Sequence, residues 1–146
     1  MDINADAPVI SRHEITIAER IQTVWDIQTD VDAWPSWQPD VDGAEADGPL
    51  TPGSVFRWQT AGLDITSTVE EVDAPRRIVW GGPAQGIVAV HVWTFEERDG
   101  QVLVRTAESW EGEPITAQPD AMQAALDGSL LAWLQNLKRT AEGRAG

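Results

Sequence analysis

The stretch from Ile87 to Gly112, IVAVHVWTFEERDGQVLVRTAESWEG, constrains the fold more than any other part of the chain. Two alternating runs flank Asp99-Gly100. That dipeptide suits a two-residue type I′ turn, whose central residues both need positive φ. With Asp99 and Gly100 as the loop, Arg98 pairs with Gln101 and the register follows. Phe95 faces Val104, Trp93 faces Thr106, and His91 faces Glu108. Side chains alternate along a strand, so these six share one side of the ribbon. Val92, Thr94, Glu96, Leu103, Arg105 and Ala107 occupy the other. The first side is the more apolar and aromatic and is expected to face inward. An imidazole and a carboxylate then meet across two strands, inside the protein. A slip of one residue at the turn would break that pair.

Similar signals recur upstream. Residues 12–19 alternate, with Ile15 and Ile17 on one side, and read as a strand. Ile21, Val24, Trp25 and Gln28 recur at helical spacing. Asp30 is placed to cap a second short helix, Val31–Ala33, which is expected to stop at Trp34 because Pro35 disfavours the α region before it. Residues 41–47 read as a polar edge strand, and residues 54–60 as a strand with Phe56 and Trp58 on one face. A turn at Ala61-Gly62 sets Trp58 opposite Ile65 and Phe56 opposite Ser67 in the next strand, residues 63–72. Residues 77–80 make another short strand, and residues 81–86, GGPAQG, read as a flexible loop. Pro119 suits the first turn of a long helix, whose buried stripe runs through Met122, Leu126, Leu130, Trp133 or Leu134, Leu137 and Ala141. Gly128 inside it costs about 1 kcal/mol against Ala unless a close approach needs it.

Strand, short helices, six hairpin-type strands and a long helix predict an α+β fold. A curved antiparallel sheet of about seven strands is expected to wrap the long C-terminal helix. One helix cannot fill the concavity, so a space is expected toward which Trp58, Trp80, Trp93, His91 and Glu108 point. The chain reads as a single domain, 1–146, with residues 1–9 a loose tail.

Composition removes several functions. The formal charge of −14 repels phosphate backbones, so nucleic acid is not an expected partner. No apolar run reaches the ~20 residues of a membrane helix, and the start lacks a signal-peptide pattern. A cytoplasmic monomer or homodimer is expected. With no Cys and only His13 and His91, thiol chemistry and Cys- or His-based metal sites are not expected. The acidic run 40–45 lacks EF-hand spacing, and residues 81–86 are not a phosphate loop. The aromatic content is lopsided, with eight Trp, two Phe and no Tyr. Each Trp can bury on the order of 200 Å².

Three roles fit His91 and Glu108: a general base with its orienting carboxylate, hydrogen-bonding groups for a ligand, or a buried pair that fixes strand register. In the first, Glu108 favours the imidazolium and the second ring nitrogen moves the proton. Phe56, Trp58, Trp80 and Trp93 either stack on a flat ligand or pack the core. Trp110 is a candidate mouth residue, and Met122 and Leu126 candidate floor residues.

The run 24–37, with VWD, DVDAWPSW, resembles the early helices of the START-like (SRPBCC) superfamily, and more narrowly its polyketide cyclase/dehydrase family. EVDAPRRIVW at 71–80, HVWTF at 91–95, AESWEG at 107–112 and LAWLQNLK at 131–138 are similar to that family's later elements. The resemblance implies a helix-grip fold, a hydrophobic small-molecule ligand and no required cofactor. It leaves a cyclase or dehydratase, a carrier or sensor, and a co-chaperone-like module as alternatives. The family has no universal catalytic set to carry over. Aromatic cyclases of this fold often use Tyr or Arg in the cavity; this chain has no Tyr.

Overall fold

In a computed structural model, which describes residues 1–144, the chain forms one antiparallel sheet in the order β1-β7-β6-β5-β4-β3-β2. The strands are β1 (Val9–Ile17), β2 (Val41–Ala46), β3 (Val55–Thr60), β4 (Leu63–Asp73), β5 (Arg77–Ala84), β6 (Ile87–Arg98) and β7 (Gln101–Glu111). Helix α1 (Ile21–Thr29), a 3-10 turn (Val31–Ala33) and helix α2 (Trp34–Trp37) separate β1 from β2. Helices α3 (Glu113–Ala117) and α4 (Pro119–Arg144) close the chain. The sheet curls around α4, giving the helix-grip architecture that the family resemblance implies.

Two hairpins adopt the registers read from their turns. Asp99 and Gly100 have φ of 53° and 79°, and His91, Trp93 and Phe95 pair with Glu108, Thr106 and Val104. Ala61 and Gly62 have φ of 51° and 77°, and Trp58 pairs with Ile65. Asp-Gly and Ala-Gly settle into the left-handed region because a tight hairpin needs it and the sheet's twist favours it.

Three local expectations fail. The GGPAQG segment is not a loop, since β5 runs on through Ala84 and turns at Gln85-Gly86. A Cβ on Gly81 would lie 2.2 Å from the Ala89 carbonyl oxygen, so only glycine allows this approach of β5 to β6. Pro83 lies past the last β4 partner, Gly81, where β5 has a neighbour on one side only and a missing N–H is tolerated. Trp34 is helical, at φ −50° and ψ −45°, and opens α2 although Pro35 follows. Burial overrides the local preference, for the ring is fully buried and meets Phe56, Trp58, Trp80 and Trp133 at 5.1–5.7 Å. Asp30 precedes the 3-10 turn without capping it through its side chain.

Of residues 1–9, Val9 begins β1, and Ile3 packs with Val79 and Val92 on the outer face of the sheet. Asn4 N–H donates to Ser109 Oγ at 3.0 Å. Asp127 of α4 accepts from Ser11 and Gln123 and lies 3.2 Å from His13 Nε2, fastening the helix to the edge strand β1. No described helix is long and apolar enough to cross a membrane.

Candidate functional site

Between the curled sheet and α4 lies a cavity of about 210 Å³. Its wall draws on β2 to β7, on the segment between α2 and β2, and on α4. Trp58, Trp80, Trp110 and Trp133 supply most of the aromatic surface, with Ile65 and Leu126. Exposed Asp40, Ala61, Ala125 and Ser129 mark the opening between the β3–β4 turn and α4.

His91 and Glu108 both border this space. Their side chains are 2% and 14% exposed, and His91 Nδ1 lies 3.2 Å from Glu108 Oε1. The remaining positions are also engaged. His91 Nε2 bonds the Thr106 hydroxyl at 2.8 Å, and Trp110 Nε1–H donates to Glu108 Oε2 at 2.7 Å. Trp80, Trp93 and Trp133 surround the imidazole at 5.2–5.7 Å.

Burial decides the charge of this pair. It lowers His91 from 6.5 to about 3, and it raises Glu108 from 4.5 to about 7 against the opposing Trp110 hydrogen bond. Removing an ion pair from water costs more than the partners recover unless every lone pair and proton is satisfied. The imidazolium expected from the sequence is therefore not the favoured state. Burial favours the neutral imidazole and pushes the carboxyl up toward its protonated form. In the uncharged form the acid O–H faces Nδ1, while Nε2–H donates to Thr106. The group that titrates in the useful range is the glutamate.

The structure divides the expected ligand-contacting residues. Trp58, Trp80, Trp110 and Leu126 line the cavity. Phe56 is fully buried and edge-on to Trp34 and Trp80, both at 5.5 Å. Trp93 is fully buried between Phe95 and Trp80. Met122 packs with Val9, Ile115, Leu126 and Leu130 beyond the floor. Face alternation identified the inward side correctly but carried no information on depth. Ile65 and Ser67 follow from the β3–β4 register, as partners of Trp58 and Phe56. Trp133 lay on the helix stripe, ambiguous with Leu134. Gln38 follows α2 outside any periodic pattern, and no sequence signal singled it out. Among the described residues no group of three or more His, Cys, Asp or Glu is arranged to hold a metal ion.

Comparisons with known proteins agree with this architecture. Comparison with curated proteins gives no match. A hypothetical protein, jhp0584, from Helicobacter pylori superposes with a TM-score of 0.84 at 22% identity, over 95% of this chain and 91% of that one. The Zhui aromatase/cyclase from a Streptomyces species gives 0.77 at 19% identity, over 94% and 95%. A START superfamily protein from Mycobacterium smegmatis gives 0.68 at 17% identity, over 92% and 95%. At these identities the likeness concerns the fold alone. A family model described as polyketide cyclase / dehydrase and lipid transport matches residues 8–142, nearly the whole chain, and the protein belongs to that family.

Proposed function

We propose that this protein binds an uncharged hydrophobic small molecule in the cavity under α4, with Glu108 as the group that exchanges a proton with it. The carrying observation is geometric: the Glu108 carboxyl, 3.2 Å from His91 Nδ1, sits on the wall of an indole-lined space of about 210 Å³, where burial pushes its pKa up to about 7. An apolar cavity of roughly 150 Å³ already holds a benzene ring. One or two fused rings therefore suit this site, and a long unfolded polyketide does not. A general acid/base works best with a pKa near the operating pH. Glu108 meets that condition; His91, neutral and bonded at Nε2, serves as its positioning partner. The reaction class this supports is cyclisation or dehydration of a carbonyl compound by proton transfer.

One observation favours binding without turnover. Both Glu108 oxygens already have a neighbour on the protein, His91 Nδ1 and Trp110 Nε1. Native mass spectrometry of the purified protein is expected to show a co-purified neutral molecule of one or two rings. Turnover of that molecule, lost in Glu108→Gln while its affinity stays within about tenfold, identifies an enzyme. Retention of the molecule without turnover identifies a carrier or sensor. Absence of any bound molecule, with no binding of added aromatic ketones, rejects the cavity reading.

A further inference from the structure

Glu108 and Trp110 are alternate residues of β7 and share its inward face. Both border the cavity, and Trp110 Nε1–H donates to Glu108 Oε2 at 2.7 Å. The Trp110 ring packs against the buried cluster of Val9, Ile115, Leu126 and Leu130, drawn from β1, α3 and α4. That packing holds the ring while its N–H reaches along the strand to the carboxyl.

The two oxygens of Glu108 therefore meet chemically different partners. An indole N–H donates and never accepts. Oε2 faces it with a lone pair, so a proton on Oε2 would point at another donor. Neutral imidazole carries one accepting and one donating nitrogen. Oε1, 3.2 Å from His91 Nδ1, is compatible with either state of the carboxyl.

Other groups around Glu108 do not replace the indole. Ser11 of β1 pairs directly with Glu108 and is 2% exposed. Its hydroxyl donates instead to Asp127 of α4, which also accepts from Gln123 and lies 3.2 Å from His13 Nε2. On β6, His91 spends Nε2 on Thr106. Among the described lining residues, Asp40 at the opening is the one further ionisable group, and no Lys or Arg is present. Burial pushes the carboxyl toward its acid form, and the Trp110 bond works against it. A donor on a carboxyl oxygen favours the charged form.

We propose that Trp110 is a positioning residue for Glu108, its indole N–H reserving Oε2 as a proton-free acceptor and confining the exchangeable proton to Oε1, between Glu108 and His91. The inference rests on the reading of Glu108 as the proton-exchanging group and names what governs that exchange. The indole opposes the burial that would otherwise hold the acid protonated, so Glu108 takes up a proton as well as giving one.

Nuclear magnetic resonance of protein carrying ¹³C-labelled glutamate carboxyls and ¹⁵N-labelled tryptophan tests this, with pH titrated in the wild type, Glu108→Gln, Trp110→Phe and Ile87→Val. The Glu108 carboxyl signal is the one that Glu108→Gln removes. In the wild type, one indole N–H is expected to move downfield with the same midpoint as that carboxyl, and Glu108→Gln should abolish the movement. Trp110→Phe should remove this indole signal and raise the Glu108 midpoint by about one pH unit, a roughly tenfold tighter hold on the proton. Ile87 packs against the same cluster and borders the same space, so Ile87→Val controls for packing and should leave the midpoint in place. An unchanged midpoint in Trp110→Phe, or an equal rise in Ile87→Val, overturns the role of Trp110 while the reading of Glu108 stands. If Trp110→Phe does not fold, the wild-type spectra decide, and no indole following the Glu108 titration overturns the role. A Glu108 carboxyl that stays fully ionised from about pH 5 upward overturns the reading of Glu108 itself.

Discussion

Glu108 and His91 make opposite contributions to stability as pH changes. Glu108 titrates at about 7 in the fold and near 4.5 when free, so the native state holds a proton that the unfolded chain has released. Its stabilisation is complete below about 4.5 and is lost as pH rises through 7. His91 titrates at about 3 in the fold and near 6.5 when free. Its contribution is present above 6.5 and is lost as pH falls toward 3. The two slopes nearly cancel between 4.5 and 6.5. Glu108→Gln removes the loss that Glu108 brings between about 4.5 and 7 and leaves the rise due to His91 uncancelled. Urea unfolding should therefore show the variant gaining on the wild type by about 2 kcal/mol between pH 5 and pH 8. A pH-independent difference would contradict a raised glutamate. Thr106→Val removes the hydroxyl at His91 Nε2 and is expected to cost about 1 kcal/mol. The facing of His91 and Glu108 was legible in the sequence because turn chemistry fixes register. Their charge was not, because it depends on how deeply three indoles bury the imidazole.

The elements show which local rules govern this chain and which yield to packing. Asp99-Gly100 and Ala61-Gly62 set two registers because each tight turn demands a particular backbone twist. Residues 81–86 misled for the same reason that glycine is informative. Gly-Gly-Pro suits a loop, yet Gly81 is needed where two strands approach too closely for a Cβ. Gly81→Ala would place a methyl group 2.2 Å from the Ala89 carbonyl oxygen, and a loss of at least about 2 kcal/mol is expected by thermal or chemical denaturation. Gly128 presents the opposite case. A Cβ there meets nothing within 4 Å, so the close approach considered from the sequence is absent. Gly128→Ala should stabilise α4 by about 1 kcal/mol by thermal or chemical denaturation, and a neutral or destabilising effect would contradict this. Trp34 shows tertiary packing overriding a steric preference, since four aromatic contacts and full burial hold it helical before Pro35.

At the scale of the molecule, a sheet of seven strands curled around one long helix leaves unfilled space where the helix and the concave face diverge. That outcome was legible because strand count and one amphipathic helix fix the architecture. The cavity's boundary was less so. Phe56 and Trp93 face inward as read, but they sit where neighbouring rings close over them. Gln38 was invisible because it follows α2 outside any periodic pattern. The central claim, that this space receives a hydrophobic molecule, has a direct test. Tryptophan fluorescence is titrated with 2-ethylnaphthalene in the wild type and in Ala89→Leu, which adds volume to the cavity wall while circular dichroism verifies the fold. Trp58, Trp80, Trp110 and Trp133 border the space, so occupation should quench them. The account predicts saturable one-site quenching in the wild type, weakened at least about tenfold in Ala89→Leu. No saturable quenching, or equal affinity in the two proteins, would contradict it.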